Sequence, residues 1–346
     1  MEATTFLKSY SKKVDAYLKE FFSNKKKFGA QIEFLVFDGI ERFENYASGG
    51  KKLRGVLTIL GYQIAGGTKL RAILPVSCGI ELLHNFLLIH DDIIDKDDVR
   101  RGKPTIHRIY SRKNGEHFGL SKAIVVGDIG AFLGYELIVN SQFSKEKITK
   151  ALSKLNNLML MTMYGQMLDI DFDFKKEVTW KEILKVRTYK TAYYTLVMPL
   201  TVGAIFAGAS YDTLDAIEAY GVPVGTAFQL TDDILGVFGE AEEIGKSNEL
   251  DIRKGKKTFL FAKALELANS KDKEFLLRWY GSERLEMKKI EKIREIIKKS
   301  GSLDYSREVA VKMVEKGKKY VPKITRNPKM QETLYSLADF IIYRNK

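Results

Sequence analysis

The amino-acid sequence predicts an all-α protein, and three observations lead to that fold class. Only six prolines occur in 346 residues, so long segments are free of helix-breaking residues. Apolar residues recur three and four positions apart in most of these segments, which is the spacing of an amphipathic helix. A sustained alternation of apolar and polar residues is not found, so strands are expected to be minor or absent.

The predicted helices follow one another along the chain, separated by glycine, proline and Asn-Gly signals. Helices are expected at 1–28, 55–66, 70–98, 121–141, 145–173, 179–208, 211–238, 257–270 and 284–346, the last with a break at Pro322–Pro328. Residues 99–120 and 239–255 are expected to be loops. Because the chain has neither a linker nor a shift in composition, a single domain over 1–346 is the simplest expectation.

Composition and charge exclude some classes of protein. No uninterrupted apolar span approaches the roughly 18 residues of a transmembrane helix, so stable membrane insertion is not expected. The single cysteine and the absence of a signal-peptide layout predict a cytoplasmic protein. The net charge of +13 predicts anionic partners: nucleic acid, phosphorylated metabolites or a membrane surface. Nucleic acid is not expected, because no basic stripe with interleaved aromatic residues is present.

Five aspartates stand within residues 91–98, after the apolar run LLHNFLLIH. Asp91 and Asp95 are four residues apart, so they share a helix face at about 6 Å along the axis. Stacked carboxylates repel one another, and Mg²⁺ binds carboxylate oxygen. An acidic helix face is usually just solvated, but the apolar run places these carboxylates at the end of a buried helix. The motif therefore predicts a metal site.

A second aspartate pair, Asp232-Asp233, follows another apolar run about 140 residues downstream. Gln229 lies three residues before Asp232 and shares its helix face. If the two helices face one another, the two motifs can hold Mg²⁺ between them.

Basic residues that could bind a diphosphate accompany the aspartates. Arginine forms bidentate contacts with phosphate, and Arg100 and Arg101 follow the first motif directly. The other candidates are Lys51, Arg54, Lys190, Lys246 and Lys256. Each one alone is typical of a surface residue, but together with the aspartates they predict a site for one or two diphosphates.

In this order, the motifs resemble those of the trans-isoprenyl diphosphate synthases, the polyprenyl synthetase family. GGKKLRG resembles the family's GGKRxRP, ELLHNFLLIHDDIIDKDDVRRG its first aspartate-rich region, and FQLTDDILG its second. GQMLD and YKT match its middle motifs, and the later GK and DIRKGKKT resemble its lysine loop. The resemblance runs from about Ser48 to the C-terminus and is closest to archaeal enzymes that make geranylgeranyl diphosphate.

The resemblance implies a helical bundle around a deep central cavity and a homodimer. It also implies Mg²⁺ as cofactor, with about two or three ions per site. The implied reaction joins isopentenyl diphosphate head-to-tail to an allylic diphosphate, by ionisation, condensation and elimination. A soluble, cytoplasmic enzyme with these two small-molecule partners is the expectation.

The resemblance also implies roles for individual residues. The metal ligands would be Asp91, Asp95 and Asp232, and the catalytic set adds Asp92 and Lys190. Isopentenyl diphosphate would be held by Lys51, Arg54, His84 and Arg101. The allylic diphosphate would be held by Arg100, Lys190, Lys246 and Lys256, with Thr191 and Gln229 close by. For His84, seven residues before Asp91 on the same helix face, an ordinary core histidine is the alternative.

Two positions depart from the family pattern. Gly55 stands where the family usually has proline, which changes the start of a helix but no charge. Gly236 ends the second motif where a third aspartate could stand, so this position supplies no side-chain ligand.

Product length is predicted from the residues before the first motif. Phe86 lies five residues before Asp91, about 7.5 Å further along the helix. In the family, an aromatic residue at this level limits elongation, and the lack of a second aromatic at Leu87 favours a C20 product over C15. An ordinary core phenylalanine would leave the length open, so farnesyl products and products of C25 or longer stay as alternatives.

Two other functions stay open. A class I terpene cyclase has a similar first motif, but its usual second metal site of the Asn-Ser-Glu type is not found. A non-catalytic partner subunit of a prenyltransferase tends to lose aspartates, whereas this chain keeps both motifs.

Overall fold

The computed structural model describes residues 2–175, 178–239, 248–282 and 284–343. In these residues the regular structure is almost entirely helical, so the all-α prediction is confirmed. The strands found there are β1 (Val99–Arg100) and β2 (Lys103–Pro104), which form one short antiparallel hairpin.

The helices follow one another along the described parts of the chain. The first are α1 (Ala3–Ile32), α2 (Phe34–Ala47), α3 (Leu53–Ile64), α4 (Leu70–Ile94), α5 (Ile106–Asn114) and α6 (Glu116–Val139). Next come α7 (Lys145–Phe174), α8 (Trp180–Arg187), a π-helical segment (Thr188–Val197), α9 (Met198–Ala207) and α10 (Tyr211–Phe238). The last are α11 (Leu250–Arg253), α12 (Phe259–Leu267), α13 (Ser270–Trp279), α14 (Met287–Lys299), α15 (Ser302–Lys318), α16 (Val321–Ile324) and α17 (Pro328–Tyr343).

The chain forms two compact units. The first comprises 1–154, 199–214 and 327–330, and the second 155–198, 215–326 and 331–346. In the first unit, α4 packs against α3 and α6. In the second, aliphatic side chains from α10, α12, α14 and the segments near them form a buried cluster. The expectation of a single domain stays a prediction.

Helix α4 carries the first aspartate motif and is both long and apolar. Its most apolar 18-residue window has a mean hydropathy of 1.7, enough by composition to cross a membrane, and 67% of that window is buried inside the protein. Such burial is typical of a core helix. Polar residues such as Glu81, His84 and Asn85 interrupt this window, so the helix is not an uninterrupted apolar span. A cytoplasmic location stays a prediction.

Several predicted boundaries are wrong. The helix expected over 70–98 ends at Ile94, and Asp95 is its C-cap. The segment 99–120, expected to be loop, contains the β-hairpin, α5 and the start of α6, because α5 is too short to show a clear period. Helix α2 is separate from α1 because Glu33 is extended between them. The break expected near Pro322–Pro328 is confirmed, since Pro328 begins α17.

Candidate active site

The turn GGKKLRG is built around a lysine that the sequence did not single out. Lys52 has a left-handed φ of 47° and is buried, 2% exposed. Its Nζ donates to Ala47 O at 2.6 Å and to Gly49 O, and lies 3.1 Å from Asp15 Oδ1. Lys51 is exposed instead. Of the two neighbouring lysines, Lys52 therefore holds the turn and Lys51 faces solvent, as a ligand-binding lysine can.

Arg54 and His84, both predicted for isopentenyl diphosphate, lie together. Arg54 Nη1 is 3.4 Å from His84 Nε2. Burial lowers the pKa of His84 well below its usual value, and the cations of Arg54 and Arg101 lower it further. The imidazole is therefore neutral, and Nε2 accepts from the guanidinium because arginine can only donate.

The β-hairpin directs Arg100 and Arg101 to different neighbours. Its turn residues, Arg101 and Gly102, have φ of 52° and 75°, as in a tight two-residue hairpin turn. The Arg101 guanidinium packs on Gly50, where a Cβ would stand 3.1 Å from Arg101 Cζ. Arg101 thus meets the glycine turn of Lys51 and Arg54. Three of the four residues predicted for isopentenyl diphosphate, Arg54, His84 and Arg101, share one electropositive neighbourhood.

The departure at Gly55 has a structural reason. Gly55 N–H donates to Glu81 Oε2 at 2.9 Å, and Glu81 is 3% exposed. This bond ties the start of α3 to the middle of α4, and proline could not donate it.

Replacing Gly55 with Pro is expected to destabilise the protein by about 1–3 kcal/mol, because the buried Glu81 carboxylate loses a donor. Urea denaturation would measure the change. Gly55→Ala is the matched control: it keeps the N–H, although its Cβ would stand 3.0 Å from Ser77 O. If the proline variant is as stable as the alanine variant, the Glu81 bond carries no stability.

The aspartates of the first motif differ in environment. Asp92 is 1% exposed, accepts from Tyr46 Oη at 2.6 Å, and pairs with Arg100 Nε. Burial raises the pKa of Asp92 to about 6, against the opposing effect of Arg100. Asp91 Oδ2 lies 3.7 Å from Arg100 Nη2, and its side chain is 24% exposed. These contacts favour a positioning role for Asp92, and a direct catalytic role for it stays a prediction.

The carboxylates at the C-terminal end of α4 fit a magnesium ion. Asp91 and Asp95 stand one turn apart, since Asp95 N–H donates to Asp91 O at 2.8 Å. Within the described ranges, no group of three or more His, Cys, Asp or Glu side chains is arranged to hold a metal. Mg²⁺ needs only one or two carboxylates when water and substrate phosphate supply the rest. Two hard oxygen donors at a partly exposed helix end meet that need.

In the second unit, the predicted residues Lys190, Thr191 and Gln229 lie in one polar network. Lys190 Nζ donates to Asp169 Oδ2 at 2.6 Å. Thr191 Oγ1 donates to Gln229 Oε1 at 3.1 Å, and Gln229 Nε2 donates to Asp233 Oδ1 at 2.9 Å. Gln229, expected to share a face with Asp232, is thus bonded to the next aspartate.

Charge and burial compete at the two carboxylates of this network. Burial alone would raise the pKa of Asp169, but the cations of Arg187 and Lys190 bring it below its usual value. Burial raises the pKa of Asp233, which Arg187 opposes. Arg187, which stands in no motif of the sequence, therefore faces both carboxylates.

Lys190 and Thr191 are presented by the π-helical segment. A π-helix has i→i+5 bonds and often marks a functional site. Gly165 of the GQMLD motif lies against this segment: a Cβ there would stand 2.3 Å from Lys190 N. Only glycine allows this approach of two backbones.

The lysine loop is described in part. Lys246 lies outside the described residues. Lys256 contributes to the field that lowers the pKa of Asp169, after the larger effects of Arg187 and Lys190. Lys257 instead donates to Phe172 O and Lys175 O near the end of α7. Asp251 packs on the second motif, because a Cβ at Gly236 would stand 2.0 Å from Asp251 Oδ2.

Phe86 is half-buried in the first unit. Its ring meets that of His90 edge-on at 4.9 Å. His90 Nε2 is 3.2 Å from Ile124 O, and a Cβ at Gly127 would stand 2.5 Å from the same nitrogen. Leu87 is also half-buried. His90 thus holds Phe86 beside α6.

Comparison with known proteins agrees with these motifs. The model of the polyprenyl synthetase family matches residues 40–297. A short chain isoprenyl diphosphate synthase from Methanothermobacter thermautotrophicus is 33% identical over 347 residues, which cover 99% of each chain. A geranylgeranyl diphosphate synthase from Sulfolobus acidocaldarius is 33% identical over 304 residues, 87% of this chain and 89% of the relative. The chain belongs to the polyprenyl synthetase family, as its motifs predict.

Solved structures share the fold. A geranylgeranyl pyrophosphate synthase from Corynebacterium glutamicum, complexed with isoprenyl diphosphate and magnesium, matches with a TM-score of 0.92. It is 30% identical, and the match covers 99% of this chain and 100% of that one. The relatives differ in their named products. A geranylfarnesyl diphosphate synthase from Aeropyrum pernix is also similar, with 32% identity over 86% of this chain and 92% of the relative.

Proposed function

We propose that this protein is a Mg²⁺-dependent prenyltransferase that condenses isopentenyl diphosphate head-to-tail with an allylic diphosphate and gives geranylgeranyl diphosphate. The observation that carries the proposal is the neighbourhood of neutral His84 in the first unit. There the cations of Arg54, Arg100 and Arg101 gather at the helix that bears Asp91. Such a combination of cations and carboxylates suits a diphosphate and its metal.

Each group of residues has a distinct task in this reaction. Arg54, Arg101 and neutral His84 bind and orient isopentenyl diphosphate, with Lys51 reaching from solvent. Lys190, Lys256 and Arg100 bind the allylic diphosphate, and Lys246 is proposed from the family pattern alone. When bound by Asp91, Asp95 and Asp232, Mg²⁺ would neutralise charge on the diphosphate leaving group.

When both substrates are held in place, the reaction proceeds through three bond changes. The allylic C–O bond breaks, and diphosphate leaves with the electron pair. The double bond of isopentenyl diphosphate attacks the allylic cation, and a proton is then lost to the released diphosphate. The side chains above work by orientation and by fixed charge, which are the two effects that such a reaction needs most.

A product assay tests the proposal. Purified protein receives labelled isopentenyl diphosphate with dimethylallyl, geranyl or farnesyl diphosphate, with Mg²⁺ or with chelator. The dephosphorylated products are then sized by chromatography. A Mg²⁺-dependent C20 alcohol is the expected result. No incorporation with any primer would reject the proposal and favour the cyclase or the partner subunit, and a different length would reject only the C20 assignment.

Phe86 sets the product length in this proposal. Replacing Phe86 with Ala is expected to shift the main product beyond C20, because removing the ring opens space about 7.5 Å from the Asp91 level of α4. The same chromatography measures the shift. Phe28→Ala, at a ring that is 61% exposed on α1, is the control and should leave the length unchanged. A folded, active Phe86→Ala enzyme that still gives only C20 would reject this role.

The proposed enzyme is a homodimer. Helix α6 exposes apolar side chains at seven-residue intervals: Val125 is 55%, Phe132 75% and Val139 50% exposed. A repeat of seven places all three on one stripe of the helix, which favours burial against another chain. Sedimentation equilibrium should give twice the chain mass.

A further inference from the structure

Arg187 lies between the two arms of the polar network in the second unit. It is the last residue of α8, immediately before the π-helical segment, and is 8% exposed. Its Nη1 is 3.6 Å from Asp169 Oδ1, and its Nε is 3.5 Å from Asp233 Oδ2. One side chain therefore faces a carboxylate of α7 and a carboxylate of α10.

With Arg187 in place, the network closes on itself. Each neighbour in the circuit is joined by a hydrogen bond, an ion pair or the backbone. In order around the circuit, its members are Lys190, Asp169, Arg187, Asp233, Gln229 and Thr191. Lys190 and Thr191 are consecutive residues, so fixing both arms fixes the π-helical segment that presents them.

The circuit is also balanced in charge. It holds two carboxylates, Asp169 and Asp233, and two cations, Lys190 and Arg187. Buried carboxylates require partners. A planar guanidinium can face two carboxylates at once, whereas an ammonium is a compact point charge. The position thus suits arginine better than lysine.

We propose that Arg187 is a positioning residue for the allylic diphosphate: by linking Asp169 to Asp233, it sets the places of Lys190, Thr191 and Gln229 relative to one another. This inference rests on the proposed function, in which these three residues belong to the allylic site. A purely structural Arg187 would neutralise buried charge without affecting how substrate is held, and kinetics distinguishes the two roles.

The test compares Arg187→Gln, Arg187→Lys and the control Lys185→Gln, which removes an exposed charge from the same helix. Each substrate is varied in turn with the other saturating. For Arg187→Gln, the KM for the allylic diphosphate should rise about tenfold and kcat should fall about tenfold, while the KM for isopentenyl diphosphate changes less than about twofold. Arg187→Lys should recover part of the loss, and Lys185→Gln should match the unmodified enzyme.

A second variant keeps the test valid if Arg187→Gln folds poorly. The double variant Arg187→Gln/Asp233→Asn leaves no unpaired carboxylate at Asp233, and it should show the same selective rise in the allylic KM. Reduced thermal stability with unchanged kinetic constants would overturn the positioning role. An equal rise in both KM values would also overturn it. If the unmodified enzyme turns over no primer, the proposed function fails first, and the inference falls with it.

Discussion

Replacing Asp91 with Asn is expected to lower kcat for prenyl transfer by about 10²–10³-fold, because it removes one charged oxygen donor for Mg²⁺. The change keeps the shape of the side chain. It also leaves the Asp92 contacts to Tyr46 and Arg100, which hold the end of α4. Initial rates at saturating substrates over a series of Mg²⁺ concentrations would measure the loss, and more Mg²⁺ should be needed for half-maximal rate.

Asp98→Asn is the matched control for this prediction. Asp98 belongs to the same aspartate cluster, but its side chain is 66% exposed and pairs with Arg108 at 2.5 Å. Its activity should stay within about twofold of the unmodified enzyme, as is usual for an exposed pair. Equal losses in both variants would show that the cluster acts only through its total charge.

Replacing Gly165 with Ala is expected to reduce activity about 100-fold and to destabilise the protein by about 1–3 kcal/mol. The new Cβ would stand 2.3 Å from Lys190 N and 2.7 Å from Lys190 Cα. Since these are backbone atoms, α7 and the π-helical segment must move apart. Lys190 then loses its position, and both activity and urea denaturation would record the change.

Gly39→Ala is the control for overpacking. In α2, a Cβ at Gly39 meets only Val126 Cγ2, at an ordinary 3.8 Å. This variant should be unchanged or stabilised by up to about 1 kcal/mol, because alanine has less freedom to lose than glycine. If Gly165→Ala behaves in the same way, the close backbone approach does not position Lys190.

The sequence alone identifies the charged residues of the proposed site, because they stand in a recognisable order. The aspartates of α4 and the basic residues Arg54, Arg101 and Lys190 stand in motifs. Their immediate surroundings were not predictable in the same way. Tyr46 donates to Asp92 from 46 positions away in the sequence. The sequence pattern of Lys52 is typical of a solvated lysine, but the left-handed turn at this residue buries its side chain.

The π-helical segment shows why local patterns fail at such points. Its residues, TYKTAYYTLV, have the apolar spacing of an α-helix, and the sequence accordingly predicts one helix over 179–208. The wider turn becomes visible only with the packing of Gly165 and the contacts of Arg187, which join residues far apart in the chain. Helix α13 was missed for a different reason: it is short, and only Leu276 among its residues is buried.

The end of α4 also links cation binding to folding. The helix stops at Ile94 without a basic residue in its last turn, so the negative end of its dipole adds to the potential of Asp91 and Asp95. Arg100 Nη2 lies 3.7 Å from Asp91 Oδ2 and offsets part of this potential. Mg²⁺ bound at this end, as proposed, would stabilise the folded state, because only the folded chain holds the two carboxylates one turn apart. The melting temperature should therefore rise with Mg²⁺ concentration before any diphosphate is added. The size of this rise would then report whether the end of α4 is correctly folded.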